Sequence, residues 1–309
     1  MRYKKIPKAN LNVSVISLGT WVFGGGEWGP ADEKECVESV NAALECGINL
    51  IDTAPVYGGG LSEQIVGKAI KGERDKVIIA TKCGLIGRGK NMRIDLTPRS
   101  IREEIEGSLK RLGMDYVDIY QCHWPDENTP VEETMAEMLR LKKEGKIKHI
   151  GVSNFDLPLL EKAIAVAEIA VVQNHYSLLE RSIEKDFLPF CEKNEIGVLS
   201  YGSLGGGILT GKYAKQPSIG KGDARSFFYK FYKGEEFAKS LKVINVLKEI
   251  SSKNGKPLNQ IALNWINQKK GVVCAIAGGR NRDQARMNAL SADWLLDEED
   301  LKKLDAAKI

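Results

Sequence analysis

Residues 117–154 read VDIYQCHWPDENTPVEETMAEMLRLKKEGKIKHIGVSN. The stretch opens on an apolar, β-branched run, VDIYQCH (117–123). It passes Thr129-Pro130 into a helical pattern ending at Gly145, and returns to a second such run, KHIGVSN (148–154). Thr-Pro puts a capping hydroxyl before a residue preset for the first helical turn, and glycine takes up the left-handed conformation that ends a helix. A strand, a helix and a second strand in so short a stretch make a parallel crossover unit.

The unit recurs along the chain. Further runs are SVISLGT (14–20), INLID (48–52), VIIATK (77–82), AVVQNH (170–175), IGVLSYGS (196–203) and VVCAIAG (272–278). Several are apolar on both faces, the pattern of parallel strands covered by helices. Asp32 predicts a helix start, with Glu35 three residues on, a stripe of Cys36, Val37, Val40, Ala43 and Leu44, and Gly47 as its end. Thr97-Pro98 predicts another, with Ile101, Ile105, Leu109 and Leu112 inward and Gly113 closing it.

Eight such units predict an α/β fold, a (β/α)8 TIM barrel, with a doubly wound sheet as the rival. Residues 1–13 predict a hairpin across the barrel floor. Strands seven and eight start at 196 and 272, which are 76 residues apart, so a long loop follows strand 7, Gly-rich and then aromatic. No linker composition divides the chain, which reads as a single domain over 1–309.

Composition narrows the function. The chain has 309 residues, 45 basic and 41 acidic, a formal charge of +4. Hydrophobic residues make up 43% and charged residues 28%, the mix of a folded globular protein. Charges of both signs are interleaved, so no nucleic acid or membrane partner is expected. The opening residues lack a signal peptide's apolar core, and no apolar run reaches the roughly 18 residues of a membrane span. Cysteines 36, 46, 83, 122, 191 and 274 form neither a CxxC pair nor a zinc spacing, which predicts reduced thiols in a cytoplasmic protein. His123, His149 and His175 show no pairing that would hold a metal. GGILTGKY (206–213) misses the phosphate-loop pattern because Tyr213 stands where Ser or Thr must meet magnesium. No GxGxxG follows the first strand.

Polar residues gather where the predicted strands end. Asp52 ends the second strand, followed by Tyr57; Lys82 ends the third, His123 the fourth, Ser153-Asn154 the fifth and Gln173-Asn174 the sixth. Taken singly, each has an ordinary structural reading as a cap, a loop aromatic or a core histidine. Five successive strands delivering them to one rim point to an active site at the C-terminal face of a barrel. Lys82 on an apolar strand needs a partner for its ammonium, and Asp52 on the neighbouring strand is the candidate.

At this point the chain resembles the aldo-keto reductase superfamily over nearly its whole length. The resemblance rests on SLGTW (17–21), GINLIDTAPVYGGGLSEQIVGKAI (47–70), KIKHIGVSNF (146–155), VVQNHYSLLER (171–181), LSYGSLGGGILTGKY (199–213) and AIAGGRNRDQARMNAL (275–290). Similarity is greatest to the bacterial reductases and the potassium-channel β-subunit-like branch.

The resemblance implies a tetrad of Asp52, Tyr57, Lys82 and His123. Tyr57 would give a proton to the carbonyl oxygen as hydride reaches the carbon. Lys82 would lower the tyrosine pKa, Asp52 would hold Lys82, and His123 would orient the carbonyl. It also implies an NADPH site, with NADH less favoured. Tyr201 would stack on the nicotinamide, Ser153, Asn154 and Gln173 would bond its carboxamide, and Gly19, Thr20 and Asp52 would lie beside it. Gly202, Ser203, Leu204, Lys212 and Arg225 would follow the pyrophosphate. Gly278, Arg280, Gln284 and Asn288 would hold the adenosine end. Trp21 and Trp124, with Tyr57 and His123, would flank a small carbonyl substrate. Many members carry Lys at the position of Gly278 and Arg at that of Gln284, so Arg280 and Arg282 become the candidates for a 2′-phosphate. Two other functions stay open at this stage: a nucleotide-sensing regulatory subunit with little turnover, and a Schiff-base aldolase using Lys82. Oligomeric state and physiological substrate are not legible.

Overall fold

The computed structural model describes residues 1–87 and 89–308. Eight parallel strands close into a barrel: β1 (Ile16–Gly19), β2 (Leu50–Asp52), β3 (Ile78–Cys83), β4 (Val117–Cys122), β5 (Ile147–Ser153), β6 (Ile169–His175), β7 (Gly197–Tyr201) and β8 (Val272–Gly278). Each lies within the run expected for it or one residue beyond. Closure is made by β8 against β1, with Ala275 opposite Ile16 and Gly278 opposite Gly19, which eliminates the open doubly wound sheet.

Side-chain alternation explains why the rim is polar. Leu50, Ala80, Ile119, Val171 and Leu199 pack together inside the barrel. Successive residues of a strand face opposite ways, so two positions further on the same inward face carries Asp52, Lys82, Gln121, Gln173 and Tyr201. The lower barrel is thus filled with hydrocarbon, and the upper layer holds charge and hydrogen-bonding groups. The expected hairpin is present, Tyr3–Ile6 pairing antiparallel with Leu11–Ser14. Its Ile6, Ala9 and Val13 join the inward apolar cluster and plug the floor.

The helices begin largely as read. The Asp32 carboxylate accepts from the amide of Glu35 at 2.9 Å, and Thr97 from that of Ser100 at 3.3 Å. Gly113 ends the second helix with φ +67°. Thr129 is a correction. The helix runs Val131–Lys143 with no side-chain cap, and the Thr129 hydroxyl instead donates to Asp126 at 2.7 Å, inside the loop after β4.

The expected long loop follows β7 and runs to residue 233, and it opens a β7–β8 segment whose remainder is helical. Helices Gly234–Asn254 and Leu258–Asn267 take up much of its length. The aromatic stretch folds into a short helix, Ala224–Phe228, and a 3-10 turn, Lys230–Tyr232. Tyr229, Phe231 and Tyr232 are buried there, while Phe227 is exposed. Among the described residues, no helix is long and apolar enough to cross a membrane.

Two details of the shell give testable consequences. Gly67, in helix Leu61–Ala69, lies against the end of helix Pro98–Leu112; a Cβ there would come within 2.6 Å of the Leu112 carbonyl oxygen and 2.8 Å of its Cα. The obstacle is backbone, which cannot swing aside. Gly67→Ala should therefore cost about 1–3 kcal/mol, read as a lower urea midpoint at unchanged slope.

Glu104, in the same helix as Leu112, accepts a hydrogen bond from the amide of Gly84 just beyond β3, at 2.7 Å. Burial pushes its carboxyl up to about 7. The folded state then holds a proton that the unfolded chain gives up near the ordinary glutamate value, so stability falls as pH rises from about 4.5 to 7. Glu104→Gln keeps an acceptor for Gly84 and removes the titration. Relative to wild type it should gain up to about 3 kcal/mol between pH 5 and pH 8, measured by urea unfolding at both.

Candidate active site

At the top of the barrel, β2 and β3 bring two opposite charges together out of contact with water. Lys82 is fully buried and Asp52 nearly so. The Lys82 ammonium donates to Asp52 Oδ2 at 2.8 Å, Asp52 Oδ1 at 2.9 Å, the Thr53 carbonyl at 2.9 Å and the Tyr57 hydroxyl at 3.2 Å. Burial draws the Lys82 pKa down from its ordinary value while Asp52 holds it up. Gln173 on β6 donates to Asp52 Oδ1 at 2.7 Å. The Thr20 amide and hydroxyl both donate to the Asp52 carbonyl, at 3.0 and 2.8 Å.

Tyr57 sits on a 3-10 turn, Tyr57–Gly59, just after β2. Two glycines fix that turn. A Cβ on Gly24 would meet the Gly58 nitrogen at 2.5 Å, and one on Gly58, at φ +63°, would meet Gly24 Cα at 2.7 Å. Backbones in this contact press Tyr57 toward Lys82. His123 follows β4, its amide donating to the Cys83 carbonyl at 2.9 Å. Its ring lies 5.9 Å from that of Tyr57, edge to face at 81°. The four tetrad residues expected from the sequence are therefore brought together.

The electrostatics correct one expectation. Burial, then the Asp52 charge, push the Tyr57 hydroxyl well above its usual value, so the net acidity is not that of a tyrosine brought down by Lys82. A phenolate there has no water to solvate it and faces the Asp52 carboxylate. Tyr57 accordingly stays a protonated hydroxyl. His123 is held neutral, its pKa pushed well below 6.5 by burial and then by the Lys82 charge. The site therefore offers one neutral O–H beside an ammonium and one neutral imidazole.

A cavity of about 1800 Å³ opens above these groups. Trp21 and Trp124 line it beside Tyr57 and His123, and Trp21 is stacked on Tyr57 with centroids 6.0 Å apart. Ser153, Asn154, Gln173 and Tyr201 form one wall with Gly19. Gly202, Ser203, Leu204, Lys212 and Arg225 continue it, and Gly278, Arg280, Gln284 and Asn288 complete the far end. Thr20 is the exception: its side chain turns away to bond Asp52 and Ser62, so it supports the site without lining it.

The wall residues are already organised. Asn154, left-handed at φ 61°, accepts from the Tyr201 hydroxyl at 2.6 Å and donates to the His123 carbonyl at 2.9 Å. The Arg225 guanidinium pairs with Asp223 and donates to the Tyr213 hydroxyl at 2.9 Å. Gln284 accepts from the Arg280 amide at 2.9 Å, and the Arg280 guanidinium donates to the Trp28 carbonyl across the cavity. Arg282 is exposed at the start of a helix and does not reach the wall.

The residues present fit an extended dinucleotide. The cavity exceeds the usual volume of a small-molecule pocket, and four cations, Arg93, Lys212, Arg225 and Arg280, lie on its wall. A Cβ on Gly207 would lie 3.2 Å from the Lys212 ammonium, so glycine leaves that cation room.

Several wall residues had escaped the sequence reading. Trp28, from a turn before the first barrel helix, packs edge-on against Trp21 at 5.1 Å. Phe228 does the same from the β7–β8 segment at 5.2 Å. Asn259 donates to Asn288 at 3.1 Å. None belongs to a strand end, and their one sequence signal was aromatic density in the β7–β8 segment.

Comparison with known proteins agrees with this geometry. A model of the Aldo/keto reductase family matches residues 15–309. The chain is 42% identical over 308 residues to the aldo-keto reductase YhdN of Bacillus subtilis, covering 99% of this chain and 93% of that protein. It is 36% identical over 318 residues to the NADH-specific methylglyoxal reductase of Escherichia coli, covering 96% of each. Among solved structures, a glycerol dehydrogenase from Gluconobacter oxydans superposes with a TM-score of 0.90 at 39% identity, covering 99% of this chain and 94% of that one. An aldo/keto reductase from Klebsiella pneumoniae in complex with NADP and acetate gives 0.77 at 29% identity, covering 99% and 95%. Fold, assembled tetrad and these likenesses together make the chain a member of the aldo/keto reductase family, oxidoreductases that act on carbonyl groups with nicotinamide cofactors.

Proposed function

We propose that this chain transfers hydride reversibly between NADPH and the carbonyl carbon of an aldehyde or ketone, with Tyr57 as the proton donor. The observation carrying this reading is the Tyr57 hydroxyl, 3.2 Å from the Lys82 ammonium and facing His123 at the base of the cavity. The dinucleotide supplies the hydride when bound. A neutral His123 donates a hydrogen bond that orients the carbonyl oxygen. As that oxygen becomes an alkoxide it takes the Tyr57 proton, and a tyrosine that stays protonated at rest is ready for this step. Lys82 stabilises the phenolate left behind, and Asp52 keeps Lys82 charged and in place. Trp21, Trp28 and Phe228 exclude water around the reacting carbon.

The same reading gives Tyr201 the nicotinamide face and Ser153, Asn154 and Gln173 its carboxamide. Lys212 and Arg225 serve the pyrophosphate, and Gly278, Arg280, Gln284 and Asn288 the adenosine. The preference for NADPH rests on Arg280, whose planar fork suits a phosphate. Arg282, lying off the wall, drops out as an equal candidate. The chain acts in the cytoplasm on a small carbonyl compound.

Tyr57→Phe should reduce single-turnover NADPH oxidation with an activated aldehyde by at least roughly 10²–10⁴-fold, while NADPH affinity, followed by fluorescence titration, stays nearly unchanged. Near-normal turnover would overturn the mechanism. Arg280→Ala should weaken NADPH roughly ten- to a hundredfold and leave NADH close to its wild-type affinity. Equal weakening of both would refute the 2′-phosphate assignment.

A further inference from the structure

His175 ends β6 directly opposite Tyr201 on β7, in register. Their rings stack with centroids 5.2 Å apart and planes 13° from parallel. Nothing in the tetrad or the cofactor assignments uses His175, yet it touches both parts of the site that must cooperate.

On one side it backs Tyr201. The hydroxyl of that tyrosine donates to Asn154, and Asn154 donates to the carbonyl of His123. Any tilt of the Tyr201 ring is thereby passed through two hydrogen bonds to the segment carrying a tetrad member.

On the other side His175 receives the segment that follows the Gly-rich turn. Tyr229 and Phe231 meet its ring edge-on at 5.6 and 6.2 Å, and Phe228 lies tilted at 6.1 Å. Three aromatic rings of one short stretch thus converge on one imidazole. Gly202 makes room for it: a Cβ there would fall 2.5 Å from His175 Cδ2 and 2.6 Å from Nε2. Nε2 is buried and has no hydrogen-bond partner among the described residues. The ring therefore acts through its faces and edges, and burial, which lowers its pKa to about 4, keeps it uncharged there.

We propose that His175 is a positioning residue that couples the aromatic segment 224–232 to the Tyr201 platform, so that docking of that segment sets the angle of the ring. This rests on the reading of Tyr201 as the nicotinamide platform. The segment carries Arg225 at one end, so a ligand that draws Arg225 inward also presses Phe228 and Tyr229 onto His175. Aromatic stacking transmits such a push because offset rings resist sliding and tilting.

Two substitutions test it. His175→Leu fills the space without a flat ring; His175→Phe keeps a flat ring without nitrogen. Hydrogen exchange over 224–232, measured on the protein alone, should rise at least tenfold in the leucine variant. Single-turnover NADPH oxidation should fall at least tenfold, with the NADPH dissociation constant moving less than threefold. The phenylalanine variant should return all three to within threefold of wild type. The proposal is overturned if the leucine variant stays within twofold of wild type in exchange and rate. It is overturned equally if the phenylalanine variant falls as far as the leucine one, since the loss then follows the nitrogen or general packing and not the stack. If wild-type protein oxidises no NADPH with any carbonyl, the functional reading fails, while the exchange measurement still decides the coupling.

Discussion

An ammonium with no access to water is costly, and the upper barrel is organised around making Lys82 tolerable. Moving such a charge out of water costs several kcal/mol even after relaxation, and one carboxylate offsets this only with good geometry and further hydrogen bonds. Asp52 provides the carboxylate, and the Thr53 carbonyl and Tyr57 hydroxyl complete the shell. Asp52 is held in turn by Gln173, and its backbone by Thr20. Removing Asp52 would strand a buried positive charge. The pair is thus a structural commitment before it is a chemical one.

That commitment sets the protonation states around it. Burial acts first on both neighbours, and the pair adds to it: the Asp52 charge raises Tyr57 further and the Lys82 charge lowers His123 further. The outcome is a neutral proton donor and a neutral hydrogen-bonding imidazole, the pair that carbonyl reduction requires. In the proposed reaction Lys82 acts chiefly once the proton has left, when a phenolate needs a cation.

The barrel was legible because it is written in local periodicity, and the tetrad because the residues at its strand ends resemble those of the aldo-keto reductases. Every second residue of a strand shares a face, so Leu50 inside implies Asp52 inside, and Ala80 implies Lys82. What escaped depends on meetings between distant segments. Nothing local shows that Gly24 rests on Gly58 or that Thr20 turns from the cavity to bond Asp52. The acidity expected of Tyr57 erred because burial is the first influence on its hydroxyl, and how deeply a loop tyrosine is buried is not read from spacing. The cofactor wall stands between, since the family resemblance marked its residues while Trp28 and Phe228 arrived from loops.

The floor plug has a consequence for the order in which the molecule forms. Its hairpin is separated from its partners by most of the described chain. Lys4 donates to the carbonyls of Asn267 and Val272, the Met1 ammonium meets Asp293, and β1 pairs with β8. Ile6 and Val13 are therefore fully covered only once residues as late as Ile276 are in place. Contacts of such long sequence separation carry a large loop-closure cost and fold slowly. The positive charges of Lys4, Lys5 and Lys8 on either side of Ile6 discourage the strand from pairing with another chain.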